Sequence, residues 1–327
     1  MASSAIQHIG GWYKMNRRVN VSGRSIRLSN LTKRLWPQYT KAQFIEYYAL
    51  LAPYLLPYLE NRPISLVRYP DGISGKYFYQ KDRPRGTPDW IETYPVYSAD
   101  NEKVINYLLI NDLPTLLWVA NLAAIELNPW HSQAPTPDQP DWTVIDLDPT
   151  LPAGFAEARQ AALLVKQVLD QLSLIGYPKL SGATGIHIYL PLPAGWSYQD
   201  SVDFTGFIGK IMLNLNPALI TTERLVKNRN AKVYVDHLQN LQGQTIVAPF
   251  SLRPTPEGTI SMPVTWDELE TVEPTDFTLG NYQHRLAQLP TIPFAHLLER
   301  PTPEVAHRMD QLRALARSAE FVNITPG

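Results

Sequence analysis

Val144-Ile145-Asp146-Leu147-Asp148-Pro149 places two carboxylates inside an apolar run. Successive side chains on a strand point to opposite faces. The spacing therefore predicts a strand over 143–148 that sends Ile145 and Leu147 into a core and stands Asp146 and Asp148 together on the other face. Two carboxylates this close repel unless a cation lies between them, so the pair suits a hard divalent ion such as Mg²⁺ or Mn²⁺. The chain has no cysteine, and any metal must be held by oxygen or imidazole. Taken alone, an Asp-x-Asp fits a turn or a surface pair of acids equally well.

Two further stretches repeat the arrangement. In Leu180-Ser181-Gly182-Ala183-Thr184-Gly185-Ile186-His187-Ile188-Tyr189-Leu190 the strand half sends Ile186, Ile188 and Leu190 inward, with His187 and Tyr189 opposite. Its turn half, Ser181 to Gly185, offers backbone N–H groups and two small hydroxyls that can cradle phosphate oxygens. In Lys232-Val233-Tyr234-Val235-Asp236 the valines are expected in the core, leaving Lys232, Tyr234 and Asp236 on one exposed face. Three strands thus each present polar groups on one face. His131 and His237 belong to no such pattern and are read as structural.

The surrounding periodicities predict a mixed fold. Thr40 is a cap for a helix carrying Phe44, Ile45, Tyr48 and Leu51 and ending before Pro53. Tyr47, Tyr48, Tyr54 and Tyr58 are expected to pack in the core or along that helix. Other helices are expected from Asp112–Pro114 onward, over Phe155 to about Leu174 closed by Gly176, over Val202–Leu213, and around Glu304–Arg317. Strands are expected at 125–127, 178–181, 186–190, 232–237 and 245–248. No apolar run is long enough to span a bilayer, which favours a soluble protein. The net charge is −1, but the first acidic residue is Glu46, and Lys14, Arg17, Arg18, Arg24, Arg27, Lys33, Arg34 and Lys41 precede it. Lys76, Lys81, Arg83 and Arg85 form a second basic group, and Arg224, Lys227, Arg229 and Lys232 a third. Such clusters suit contact with phosphates, although each member also fits a solvated surface.

In this order, Asp-x-Asp on an apolar strand, Ser-Gly-x-x-Gly-x-His and an apolar strand ending in Asp resemble the archaeo-eukaryotic primase superfamily. Within it the likeness is to the polymerase domain of bacterial ligase D, used in non-homologous end joining. Supporting runs include Asn30-Leu31-Thr32-Lys33, Arg68-Tyr69-Pro70-Asp71-Gly72, Phe78-Tyr79-Gln80-Lys81, Glu126-Leu127-Asn128-Pro129-Trp130, Asp236-His237-Leu238-Gln239-Asn240 and Ala248-Pro249-Phe250-Ser251-Leu252-Arg253. The resemblance covers about residues 20 to 300. It implies that Asp146, Asp148 and Asp236 hold two ions, Mn²⁺ or Mg²⁺, with a leaning to Mn²⁺. Ser181, Gly182, Thr184, His187, Lys232, Gln239, Arg253 and Asn128 would contact a nucleoside triphosphate, with Arg253 on the phosphates. Asn30, Lys33 and Lys41 would bind a DNA 5′-phosphate, and Phe78 or Tyr79 would stack near a template. Thr184 stands where relatives commonly carry a basic residue, and Asn128 where many carry histidine. The first departure removes a positive charge, and the second alters a nucleotide contact.

The fold so implied is α/β of the α+β type, with two packed lobes around an antiparallel or mixed sheet. Its expected divisions are an N-terminal extension at 1–20, the primase-polymerase domain at 21–300 and a helical tail at 301–327. The implied reaction adds nucleotides, with a preference for ribonucleotides, to a 3′-hydroxyl at gaps and double-strand breaks in DNA. The implied partners are Ku and a DNA ligase, as separate chains or fused domains, in a cytoplasmic, nucleoid-associated setting without a membrane. The rivals are a replicative primase, which starts chains without a primer, and a non-catalytic end-binding and bridging module. Grouped acids facing DNA would weaken a pure binder.

Overall fold

Caps and alternating strands sort the chain into two compact units. The first comprises Met1–Pro129, Val247–Ile260 and Thr278–Ala287; the second comprises Trp130–Ile246, Ser261–Phe277 and Gln288–Gly327. The structure, a computed structural model, describes residues 16–99, 102–289 and 293–318. Lys14, most of the expected extension and the last residues of the expected tail lie outside the described residues. No helix among the described residues is long and apolar enough to cross a membrane.

The first unit opens on an antiparallel hairpin, β1 (Asn16–Val21) and β2 (Arg24–Ser29). Ser22 and Gly23 between them both take positive φ, as a type I′ hairpin turn requires. The expected boundary at residue 20 therefore cuts through a strand. Helix α1 (Lys41–Leu55) begins with a capping box: the Thr40 side chain accepts from Gln43 N, and Thr40 N donates to the Gln43 side chain. It does not stop before Pro53 as expected. The proline gives up one backbone donor, but Leu51, Ala52 and Leu55 around it are all buried, and their packing carries the helix onward. Tyr47 and Tyr48 are buried too, with hydroxyls donating to Phe250 O and Ile125 O at 2.7 and 2.8 Å.

Strands β3 (Pro63–Arg68), β4 (Phe78–Gln80), β5 (Thr93–Ser98), β6 (Lys103–Leu109) and β7 (Ala124–Pro129) form this unit's main sheet. Its order is β4-β3-β6-β5, with β7 also on β3. Between β6 and β7 runs α2 (Leu113–Asn121), capped by Asp112. The expected strand at 245–248 is absent. Its apolar residues are buried without joining a ladder, an ambiguity that short apolar runs carry by nature.

The second unit holds a five-stranded sheet in the order β11-β12-β8-β10-β9. The strands are β8 (Trp142–Pro149), β9 (Tyr177–Leu180), β10 (Ile186–Pro191), β11 (Ile220–Thr221) and β12 (Val233–Asp236). The pairings are antiparallel except β11 with β12. Two amphipathic helices, α3 (Phe155–Gln171) and α4 (Tyr198–Leu215), cover the face of Ile145, Leu147, Ile188 and Val235. Helix α3 ends earlier than expected, and Ser173 rather than Gly176 turns the chain, with φ 51° and Leu174 N bonded to Leu169 O. Gly176 serves packing instead. A Cβ there would lie 2.6 Å from Leu169 Cδ1 and 2.8 Å from Ile188 Cγ2, so its missing side chain lets helix and sheet approach.

The expected tail helix is α5 (Pro303–Ala316). It is part of the second unit: Trp196 Nε1 donates to Asp310 at 2.9 Å, and Arg313 and Arg317 both reach Asp200. Those bonds join a segment that sequence alone sets apart.

Candidate active site

Register decides what stands beside what. On the sheet of the second unit, Asp146 on β8 is the direct partner of His187 on β10 and of Asp236 on β12. His187 is in turn the partner of Lys179 on β9. Directly paired residues project to the same face, so Asp236, Asp146, His187 and Lys179 form one row across four strands. Asp148 follows on the same face, opposite Tyr234. The three aspartates singled out in the sequence are thus brought together on the face that α3 and α4 leave uncovered.

Each carboxylate takes its own protein donor, because like charges at neighbouring positions repel. Asp146 Oδ1 lies 3.5 Å from His187 Nε2. Asp148 Oδ2 lies 3.3 Å from Arg229 NH1. Asp236 Oδ1 accepts from Leu238 N at 3.0 Å and from the Tyr234 hydroxyl at 3.1 Å. Among the described residues, no group of three or more His, Asp or Glu side chains is placed as it stands to hold a metal ion. The electrostatics still suit a cation: desolvation pushes the Asp148 carboxyl above its ordinary range, Arg229 pulls it back, and Asp236 pushes it further up. An all-oxygen set of this kind fits Mg²⁺ or Mn²⁺.

Tyr234 was expected on an exposed face but is buried, because the Arg229 guanidinium stacks 3.8 Å above its ring. Arg229 was grouped in the sequence with phosphate-tracking charges. It is instead nearly buried and fixed by Glu223 O and Arg224 O as well as Asp148. Lys232 sits just before β12, its ammonium donating to Pro217 O at 2.7 Å. Gln239 Nε2 donates to Thr245 O. Tyr189 shares the face of His187 but is buried against Trp142 and Phe294. His237, read as structural, is held below its ordinary pKa chiefly by burial.

The glycine-rich turn differs from the expected phosphate cradle. Ala183 N and Gly185 N both donate to Ser181 Oγ at 3.1 Å, so these two N–H groups close the turn on itself. Gly182 takes φ 77°, and a Cβ on Gly185 would lie 2.8 Å from Leu147 O. Thr184 is exposed at the tip.

The remaining expected residues lie in the first unit. Arg253 Nε is 3.1 Å from Glu126 Oε1, and burial pushes the Glu126 carboxyl up while Arg253 pulls it back. Asn128 on β7 is buried, and its Nδ2 has no hydrogen-bond partner among the described residues. Phe78 and Tyr79 on β4 are exposed, with the Arg68 guanidinium over the Phe78 ring. Lys41 N donates to Lys33 O, which closes the segment between the two lysines. Lys41 Nζ donates to Ser29 O at 2.8 Å, while Lys33 Nζ pairs with Asp71 at 2.7 Å. Burial, with help from the charges of Lys33 and Arg68, lowers the Lys41 pKa to about 8. Asn30 is exposed with φ 54°.

Sequence reasoning did not single out Lys179, Glu126 or Asn240. A lysine between Pro178 and Leu180 inside an apolar strand was a usable signal for the first. The other two show their partners only after folding.

A family model described as "LigD, primase-polymerase domain" matches residues 40–294. The Bifunctional non-homologous end joining protein LigD of Bacillus subtilis is 38% identical over 250 residues, covering 76% of this chain and 40% of that protein. The Multifunctional non-homologous end joining protein LigD of Mycolicibacterium smegmatis is 30% identical over 248 residues, covering 75% of this chain and 32% of that protein. The chain therefore spans less than half the length of these relatives. Among solved structures, "Polymerase Domain from Mycobacterium tuberculosis Ligase D in complex with DNA" matches with a TM-score of 0.77 at 27% identity, covering 84% of this chain and 99% of that one.

Proposed function

The chain belongs to the LigD primase-polymerase domain family, and from that premise we propose that it adds nucleotides to a 3′-hydroxyl at gapped or broken DNA ends. The observation that carries the proposal is the in-register placement of Asp146 beside Asp236, with Asp148 on the same sheet face, opposite the one α3 and α4 cover. Those three carboxylates would hold two Mg²⁺ or Mn²⁺ ions, which when bound supply Lewis acidity at the attacking and leaving oxygens. The protein's own part is positioning: Arg229 aims Asp148, while Tyr234 and Leu238 N fix Asp236. Family membership supports ribonucleotide preference and partnership with Ku and a ligase, as separate chains or fused domains.

Primer extension on gapped DNA tests the reading, comparing ribonucleotides with deoxyribonucleotides in Mn²⁺ and in Mg²⁺. Template-directed extension that needs a primer and favours ribonucleotides is expected. Synthesis without a primer would point to a replicative primase, and no extension at all would sink the proposal.

A 5′-phosphate pocket at Lys33 and Lys41 is part of the same reading, and the Lys41 N–Lys33 O bond that closes the segment between them supports it. Gapped DNA with a recessed 5′-phosphate is expected to bind on the order of 10-fold more tightly than the same DNA ending in 5′-hydroxyl, as charged hydrogen bonds would give. Salt should weaken the preference. The pH dependence follows from Lys41, whose pKa of about 8 lies below its ordinary value. An anion favours the protonated form and is bound with proton uptake, so the preference is full below that pH and fades as pH rises through it. Fluorescence anisotropy on the two DNAs across pH decides: equal affinities, or a preference surviving Lys33→Ala with Lys41→Ala, rule the pocket out.

A further inference from the structure

Lys179 stands at the far end of the row that also contains His187, Asp146 and Asp236, and it is wholly buried, with 0% exposure. An ammonium is costly to bury unless its donors are used. Its Nζ donates to Ser261 Oγ at 2.5 Å, lies 2.9 Å from His187 Nδ1, and sits 5.7 Å from the centre of the Tyr189 ring. Each of these contacts suits a cation.

An ammonium has donors and no acceptor, so the Nδ1 that faces it presents a lone pair. The proton of a neutral imidazole is then left on Nε2. That nitrogen is 3.5 Å from Asp146 Oδ1, where an N–H is attracted and a lone pair would be repelled. Both neighbours of the ring therefore select the same tautomer. We propose that Lys179 is a positioning residue that holds His187 as the Nε2–H tautomer, so that the imidazole offers a donor on the carboxylate-bearing face. Phosphate oxygens of an entering nucleotide carry lone pairs, and a donor there attracts them. This use of the tautomer rests on reading that face as the site of nucleotide addition; the tautomer itself does not.

Long-range ¹⁵N–¹H correlation spectra of ¹⁵N-histidine-labelled protein read the tautomer directly, with His187→Ala identifying the signal. Wild-type protein is expected to show a protonated Nε2 and an unprotonated Nδ1. In Lys179→Met, which keeps much of the side-chain length and loses the donors, the ring should populate both tautomers. Primer extension should then slow by roughly 10- to 100-fold in kcat, the scale known for losing the outer hydrogen-bond partner of a metal-ligating histidine. Lys179→Gln, which retains an N–H donor, should recover part of that loss. In a His187→Ala background, Lys179→Met should cost nothing further.

A protonated Nδ1 in the wild type overturns the proposal, and does so even if Lys179→Met fails to fold. It is equally overturned by an unchanged tautomer in folded Lys179→Met, or by an equal loss with and without His187. Extension by the wild-type chain tests the underlying reading separately, so the two fail independently.

Discussion

Replacing Asp148 by Ala is expected to lower nucleotide addition by at least on the order of 1,000-fold, the scale set by removing a main electrostatic contact of a transition state. The fold should survive. Asp148 is exposed at the end of β8, while Ile145 and Leu147, which anchor that strand, point the other way and are buried. The carboxyl of Asp148 is pushed above its ordinary range, so its contribution is present at low pH and lost as pH rises through the folded value. At neutral pH its ionised form favours the folded chain less than an unperturbed acid does, and Arg229 keeps Glu223 O and Arg224 O as acceptors, so the alanine variant should melt only slightly below the wild-type temperature. Asp146→Ala and Asp236→Ala should also abolish addition. Asp236 has a second duty as cap of the His237–Asn240 turn, so its loss should lower the melting temperature as well. Extension rates of purified proteins with native circular dichroism check this; near-normal activity in any of the three removes it from the site.

The largest expected loss of stability lies at Asn240, which is fully buried. Strand β12 ends at Asp236 opposite Asp146, and beyond that rung Asn240 takes its place beside β8. Its Oδ1 accepts from Val144 N at 2.8 Å and from Thr143 Oγ1 at 2.9 Å, while its Nδ2 donates to Val144 O at 2.7 Å. One side-chain amide thus stands in for a peptide group and extends the ladder. Asn240→Ala strands the Val144 N–H and C=O without water, at about 1–3 kcal/mol each, and takes one partner from Thr143, for a total of at least roughly 3 kcal/mol. That is a large part of the roughly 5–15 kcal/mol that holds a typical domain. Urea unfolding should show a lower midpoint at unchanged slope. A loss under about 1 kcal/mol would mean that the strand finds other partners. Because the turn held by Asn240 starts at Asp236, folded Asn240→Ala should also add nucleotides more slowly.

Asp146 and Asp148 were legible because strand alternation is local: the position of Ile145 and Leu147 in the core fixes the opposite direction for the acids. Asp236 followed from the same rule applied to Val233 and Val235. The helix after Thr40 is legible from its cap, yet its far end is not, because the burial of Leu51, Ala52 and Leu55 that carries the helix through Pro53 depends on distant segments. The 245–248 run failed for a related reason, since buried apolar residues need a core but no ladder.

By itself, then, the sequence determined which residues alternate, which cap, and which polar groups share a strand face, as these depend on neighbours a few positions apart. Only the tertiary structure decided that Asp146 lies between His187 and Asp236, that Arg229 leaves solvent to hold Asp148, and that the Ser181 hydroxyl closes its own turn. It also placed Lys179 behind His187 and Asn240 beside Val144, pairs 8 and 96 residues apart. Register and long-range hydrogen bonds belong to pairs of distant segments. Their partners are set by which strands meet in the core, which no local pattern of side chains specifies.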